Sequence, residues 1–104
     1  MAKFAIFYLG GNKEMSPEDA KAHRQGWQVW LNGLGEAVVS PANPLKGSKS
    51  VSRAGVSDAD GVTRITGYTI VEAPDMEAAL AMAKDCPFLD MGTLEVAEMM
   101  SMGG

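Results

Sequence analysis

Lys3-Phe4-Ala5-Ile6-Phe7-Tyr8-Leu9 is the stretch on which the fold turns. Side chains alternate along a strand, so Phe4, Ile6 and Tyr8 face one way and Ala5, Phe7 and Leu9 the other. Both faces are apolar, which predicts a central strand with something to bury on each side. Downstream, Gly10, Gly11 and Asn12 break the strand. Ser16-Pro17-Glu18-Asp19 then supplies an N-cap, a proline at the first helical position and carboxylates over the positive helix end. Ala20, His23, Trp27, Trp30, Leu31 and Leu34 follow at three- and four-residue spacing, an apolar stripe that packs on a sheet, and Gly35 suits a left-handed C-cap.

The remaining elements follow the same logic. Ala37 to Ser40 reads as a short edge strand closed by Pro41. The Gly-, Ser- and Asp-rich segment 46–61 reads as a loop or hairpin, with Lys49 to Arg53 as a short extended piece and Asp60-Gly61 as a turn. Ile65 to Ala73 is a strand carrying Tyr68 and Ile70 on one face and Thr69 and Val71 on the other. Asp75 caps a second helix with Met76, Leu80 and Ala83 inward, which Cys86-Pro87 stops. Thr93 to Met99 alternates again, with Leu94 and Val96 together. The order is βαββαβ, an α+β ferredoxin-like arrangement in which two helices cover one face of a four-stranded antiparallel sheet. The bare face is most simply buried against a second copy, so a homodimer paired through its sheets is expected.

The chain has 104 residues, and residues 1–104 read as a single domain. The net charge of −4 and the scattered lysines and arginines argue against nucleic acid as a partner. One cysteine builds no intrachain disulfide and fits a reducing cytoplasm. No apolar run is long enough to span a membrane. A single histidine with dispersed Asp75, Asp85 and Asp90 has no metal-site spacing, and no phosphate loop or dinucleotide fingerprint occurs, so no metal and no cofactor are expected.

The stretch Phe4 to Tyr8, the helix of Trp27 and Trp30, Asn43-Pro44-Leu45 before Lys49-Ser50-Val51-Ser52, then Thr66-Gly67-Tyr68 and Cys86-Pro87-Phe88-Leu89, resemble together the YciI-like (YCII-related) family over nearly the whole chain. The resemblance implies the dimeric α/β-barrel superfamily, in which two ferredoxin-like subunits pair through their sheets and leave a pocket beside the sheet. That superfamily hosts monooxygenases, isomerases, lyases and ligand-binding proteins, so architecture transfers better than activity. It also implies a His–Asp pair as active site. His23 stands at the place of the histidine, and Asn32 and Gly33 about where the aspartate would be sought. The Asp-Gly-Pro-Phe motif of a related branch is replaced by Val62 to Gly67.

The residues that carry chemistry are few. His23 is the catalytic candidate, a general acid or base beside a pocket; its structural alternative is a half-buried helix residue bonded to a neighbour. Trp27, next to Gly26, either walls a ligand or fills the core. Tyr8 and Tyr68 join an apolar ring to a hydroxyl that orients a ligand or makes one structural bond. Lys49 and Ser50 offer an ammonium and a hydroxyl to an anionic group, or belong to a solvated loop. Cys86, before Pro87 at a helix C-terminus, reads as an inert buried thiol. Three functions fit: a cofactor-independent small-molecule enzyme with its pocket between sheet and first helix, a non-catalytic binding or regulatory module, or a structural interaction protein whose sheet face serves only the dimer. The same residue types serve the first two.

Overall fold

In the computed structural model, which describes residues 1–11, 15–59 and 64–101, two side-chain caps set where the helices begin. Ser16 Oγ accepts the Asp19 N–H at 3.1 Å and the Asp75 carboxylate accepts the Ala78 N–H at 2.9 Å. The elements are β1 (Ala2–Gly10), α1 (Pro17–Leu34), β2 (Val38–Pro44), β3 (Lys49–Ser52), β4 (Gly55–Asp58), β5 (Ile65–Ala73), α2 (Met76–Ala83) and β6 (Gly92–Glu98). Gly35 ends α1 at φ 56°, the positive angle expected of it. Pro87 opens a short 3-10 turn, Pro87–Asp90, that returns the chain to β6.

The large sheet runs β2-β5-β1-β6 with every pair antiparallel, the ferredoxin-like order. β1 is central, as its two apolar faces require. Phe4, Ile6 and Tyr8 of β1 and Val71 and Ala73 of β5 form the core with Trp30, Ala79, Ala83, Cys86 and Phe88 from the helical layer. Trp30 donates its indole N–H to the Met82 carbonyl at 2.9 Å and so fastens α1 to α2. On the other face Phe7 lies opposite Tyr68 and Ala5 opposite Ile70, and among the described residues no helix covers them.

Three local features differ from the reading of the sequence. Leu80 is 42% exposed, whereas Ala79 and Ala83 turn inward, because small side chains let the short α2 approach the sheet closely and leave leucine on its flank. β2 continues through Pro41 to Pro44: on an edge strand the missing N–H costs nothing, and the register slips between Ser40 and Asn43 to accommodate it. There Asn43 donates to Ser40 Oγ at 2.9 Å and to the Tyr68 carbonyl at 3.2 Å. The hairpin β3–β4 turns at Arg53-Ala54, with Gly55 at φ 132°. Asp60-Gly61, expected to form a turn, lies outside the described residues. All eight strand residues of the hairpin are exposed, and Lys49 pairs with Asp58 across it.

Candidate active site

At the end of the sheet where β1 and β2 finish and β5 begins, α1 leaves a cavity of about 380 Å3. Tyr8, Gly11, His23, Trp27, Ala42, Pro44, Thr66, Phe88 and Met91 line it. Most of these are apolar or aromatic, a lining that suits a flat, weakly polar molecule. The aromatic wall is interlocked: Tyr8 stacks on Phe88 with centroids 5.1 Å apart and meets Trp27 at 5.2 Å, while Trp30 buttresses Trp27 edge-on at 5.5 Å. Two glycines make room for it. A Cβ on Gly67 would stand 2.7 Å from the Tyr8 ring, and one on Gly92 would stand 2.8 Å from Phe88 and 2.3 Å from the Leu9 carbonyl oxygen. The Tyr8 hydroxyl is held by the Thr69 hydroxyl beneath the wall.

His23 stands one helical turn before Trp27, and its Nε2 accepts the Trp27 indole N–H at 2.8 Å. An accepting Nε2 assigns the neutral ring's proton to Nδ1. The indole therefore fixes both the tautomer and the ring plane, the office that a carboxylate or carbonyl often performs for histidine. His23 also borders a second cavity of about 440 Å3, lined by Met15, Asp19, Ala22, Gly26, Pro87 and Asp90. The imidazole thus divides an apolar chamber from one bordered by two carboxylates. Among the described residues no carboxylate is hydrogen-bonded to it, and Asn32 lies on an exposed part of α1, away from both chambers.

A family model of the YCII-related domain matches residues 8–103. The chain belongs to the YCII-related domain family. Its fold is similar to that of 5-chloro-2-hydroxyhydroquinone dehydrochlorinase (TftG) from Burkholderia phenoliruptrix AC1100, solved in complex with 2,5-dihydroxybenzoquinone. The two superpose with a TM-score of 0.59 at 14% identity, over 94% of this chain and 93% of that one, a likeness of fold. No curated protein matches the sequence.

In this YCII-related chain the structure brings Tyr8, His23 and Trp27 to one cavity. Tyr68 is on the opposite face of the sheet by strand alternation, beside Phe7. Lys49 and Ser50 lie in the hairpin and border other hollows, away from the histidine. Phe88, Met91, Pro44 and Thr66 complete the chamber and were not foreseen. Only Pro87-Phe88 carried a signal, since a proline directly after a helix launches its neighbour in a new direction. Among the described residues no group of three or more histidine, cysteine or acidic side chains is placed to hold a metal, and no helix is long and apolar enough to cross a membrane.

Burial pushes the Tyr8 phenol up from 10.0 to about 12, with the Thr69 bond opposing and the neighbouring Cys86 reinforcing the rise. Burial likewise pushes the Cys86 thiol up from 9.0 to about 11, against the Phe88 backbone N–H. Cys86 is therefore a neutral, buried thiol, unsuited to nucleophilic attack. Both groups hold their protons more tightly folded than unfolded, so their contribution to stability is full below pH 9 and lost as pH rises through 11 and 12. Urea midpoints are expected to hold steady from pH 7 to 9 and then decline. Tyr8→Phe should make the decline above pH 10 shallower, leaving the share that belongs to Cys86, and an unchanged slope there would reject the assignment.

Proposed function

We propose that this protein is an enzyme that binds a flat, ring-containing small molecule in the apolar chamber and moves a proton at an oxygen of that molecule through His23. The observation that carries this reading is the Trp27–His23 hydrogen bond at the chamber wall. It leaves Nδ1–H as the ring's uncommitted donor. A carbonyl or phenolic oxygen held there receives that hydrogen bond as charge develops on it, and the surrounding aromatic rings strengthen the interaction by excluding water. The quinone held by the similarly folded dehydrochlorinase is a molecule of the shape that this chamber suits.

The protein acts in the cytoplasm as a homodimer, burying the sheet face of Phe7, Tyr68 and Ile70 against the same face of its partner. That face is apolar on a small domain, which is the usual setting for pairing.

The test is a spectrophotometric screen of hydroxylated quinones and enolisable cyclic ketones, beginning with 2,5-dihydroxybenzoquinone as a binding probe. Turnover of at least one compound is expected, and His23→Ala should lower it about a hundredfold while keeping the melting temperature close to that of the parent. A compound bound in the chamber and always recovered unchanged would favour a binding module instead. Undiminished turnover in the variant would overturn the role of His23.

A further inference from the structure

The one break in the pairing of β1 with β5 lies at the wall of the apolar chamber. Tyr8 lies opposite Gly67 and Leu9 opposite Ile65, so the register passes over Thr66. Two residues of β5, Thr66 and Gly67, thus share one position of β1, which is a β-bulge. Regular alternation from Tyr68 would put the Thr66 side chain on the bare face of the sheet, with Phe7 and Ile70. Thr66 instead lines the chamber, on the side of the sheet that carries Tyr8. A bulge re-aims a side chain in this way at the cost of a locally broken ladder.

The neighbouring residues fit the bulge to the chamber. Gly67 has no side chain, and a Cβ there would stand 2.7 Å from the Tyr8 ring, so of the two residues opposite Tyr8 only Thr66 presents a functional group. The Thr66 carbonyl accepts the Leu45 N–H at 3.0 Å, which ties the bulged residue to the chain that follows β2. The Tyr8 hydroxyl is taken up by Thr69, and the Trp27 indole N–H by His23. Among the described lining residues, His23 and Thr66 are then the side chains with a nitrogen or oxygen left to offer a ligand. The Thr66 hydroxyl donates to the Tyr8 backbone carbonyl at 3.3 Å. With its proton so directed, its oxygen keeps its lone pairs and meets a ligand as an acceptor. His23 is the complementary group, a donor at Nδ1.

Resting on the reading of the apolar chamber as a ligand site, we infer that Thr66 determines the specificity of that site and that the ligand is an aryl or cyclic ketone bearing a neutral hydroxyl. The ketone oxygen accepts from His23 Nδ1, and the ligand hydroxyl donates to Thr66 Oγ1. The bulge thereby sets an acceptor in an apolar wall, and a ring of the same shape without a donor leaves that acceptor unanswered.

Isothermal titration of the purified protein with 3- and 4-hydroxyacetophenone, each against its methyl analogue, tests the inference. The titrations are run at pH 6, below the range in which phenols ionise. Methyl and hydroxyl groups are of similar size, so the compounds of each pair differ chiefly in the donor. At least one phenol should bind about fivefold more tightly than its methyl analogue. Thr66→Val keeps the side-chain shape and should erase that preference without weakening the methyl compound, whereas Thr66→Ser should retain it. His23→Ala should weaken both members of a pair alike and leave the preference in place. Thermal melting of each variant separates lost recognition from lost folding, and the comparison of phenol with methyl compound on the unaltered protein needs no variant. Equal binding within both pairs would overturn the Thr66 contact and leave the chamber standing. A preference that survives Thr66→Val would also overturn it, because the hydroxyl would then be received elsewhere. Binding of none of the four compounds would reject the contact and the chamber together.

Discussion

Phe88→Ala is expected to destabilise the protein by about 3–5 kcal/mol and to abolish ligand binding in the apolar chamber. The ring is 6% exposed and stacks on Tyr8. Its far side faces the backbone at Gly11 and Gly92, where added Cβ atoms would stand 2.6 and 2.8 Å from ring carbons. Truncation therefore opens a void bounded by glycines, which have no side chains to swing into it, and the cost falls where collapse is poorest. Equilibrium urea unfolding measures it. Phe88→Leu should retain much of the stability, because a branched aliphatic side chain refills part of the volume. A loss below about 1 kcal/mol for the alanine variant would mean that the ring is not part of the core.

Trp30→Ala should cost a comparable amount, about 3–5 kcal/mol, by a different route. Trp30 is buried between α1 and α2, braces Trp27 edge-on and satisfies the Met82 carbonyl. Removing it loosens the helical layer and leaves Trp27 free to tilt, so ligand affinity should fall although Trp30 does not line the chamber. Trp30→Phe separates the two contributions: most packing returns, and the missing N–H leaves a residual deficit of about 1 kcal/mol. A phenylalanine variant as unstable as the alanine one would place the stabilisation in the hydrogen bond rather than in packing.

The central position of β1 was legible because Phe4 to Leu9 is apolar in both alternating registers, a pattern that an edge strand seldom carries. Both helix starts were legible for the same kind of reason, since Ser16 and Asp75 are capping residues followed by the expected carboxylates. The inward face of α2 was not. Over so short a helix the apolar periodicity of Met76, Ala79, Leu80 and Ala83 admits two phases, and close approach of alanines to the sheet decides between them. The sequence predicts an end to β2 at Pro41 because a proline signals a stop unless the strand is known to lie at an edge, and that is a property of topology.

The candidate site was legible in part. His23 and Trp27 are separated by one helical turn, so their meeting was implied by sequence, and Tyr8 joins them from the strand face that the helices cover. Alternation places Tyr68 apart from Thr69 and Val71, yet excluding it from the chamber of Tyr8 requires the register of β1 against β5, in which Phe7 lies opposite Tyr68 and Tyr8 opposite Gly67. Phe88 and Met91 reach the chamber through a turn whose direction no local periodicity encodes. The separation of Lys49 and Ser50 from the histidine likewise follows from where the hairpin leaves the sheet.

The most direct measurement is a long-range proton–nitrogen NMR spectrum of the imidazole, simplified by His23 being the only histidine in the chain. In the neutral form of the ring the two nitrogens should report a proton on Nδ1 and an accepting Nε2, and saturation with a chamber-filling quinone should move the Nδ1 signal while the Nε2 signal keeps its acceptor character. A ring protonated at Nε2, or an Nδ1 signal unmoved by a ligand shown to bind, would contradict a site in which Trp27 sets the tautomer and His23 meets the substrate.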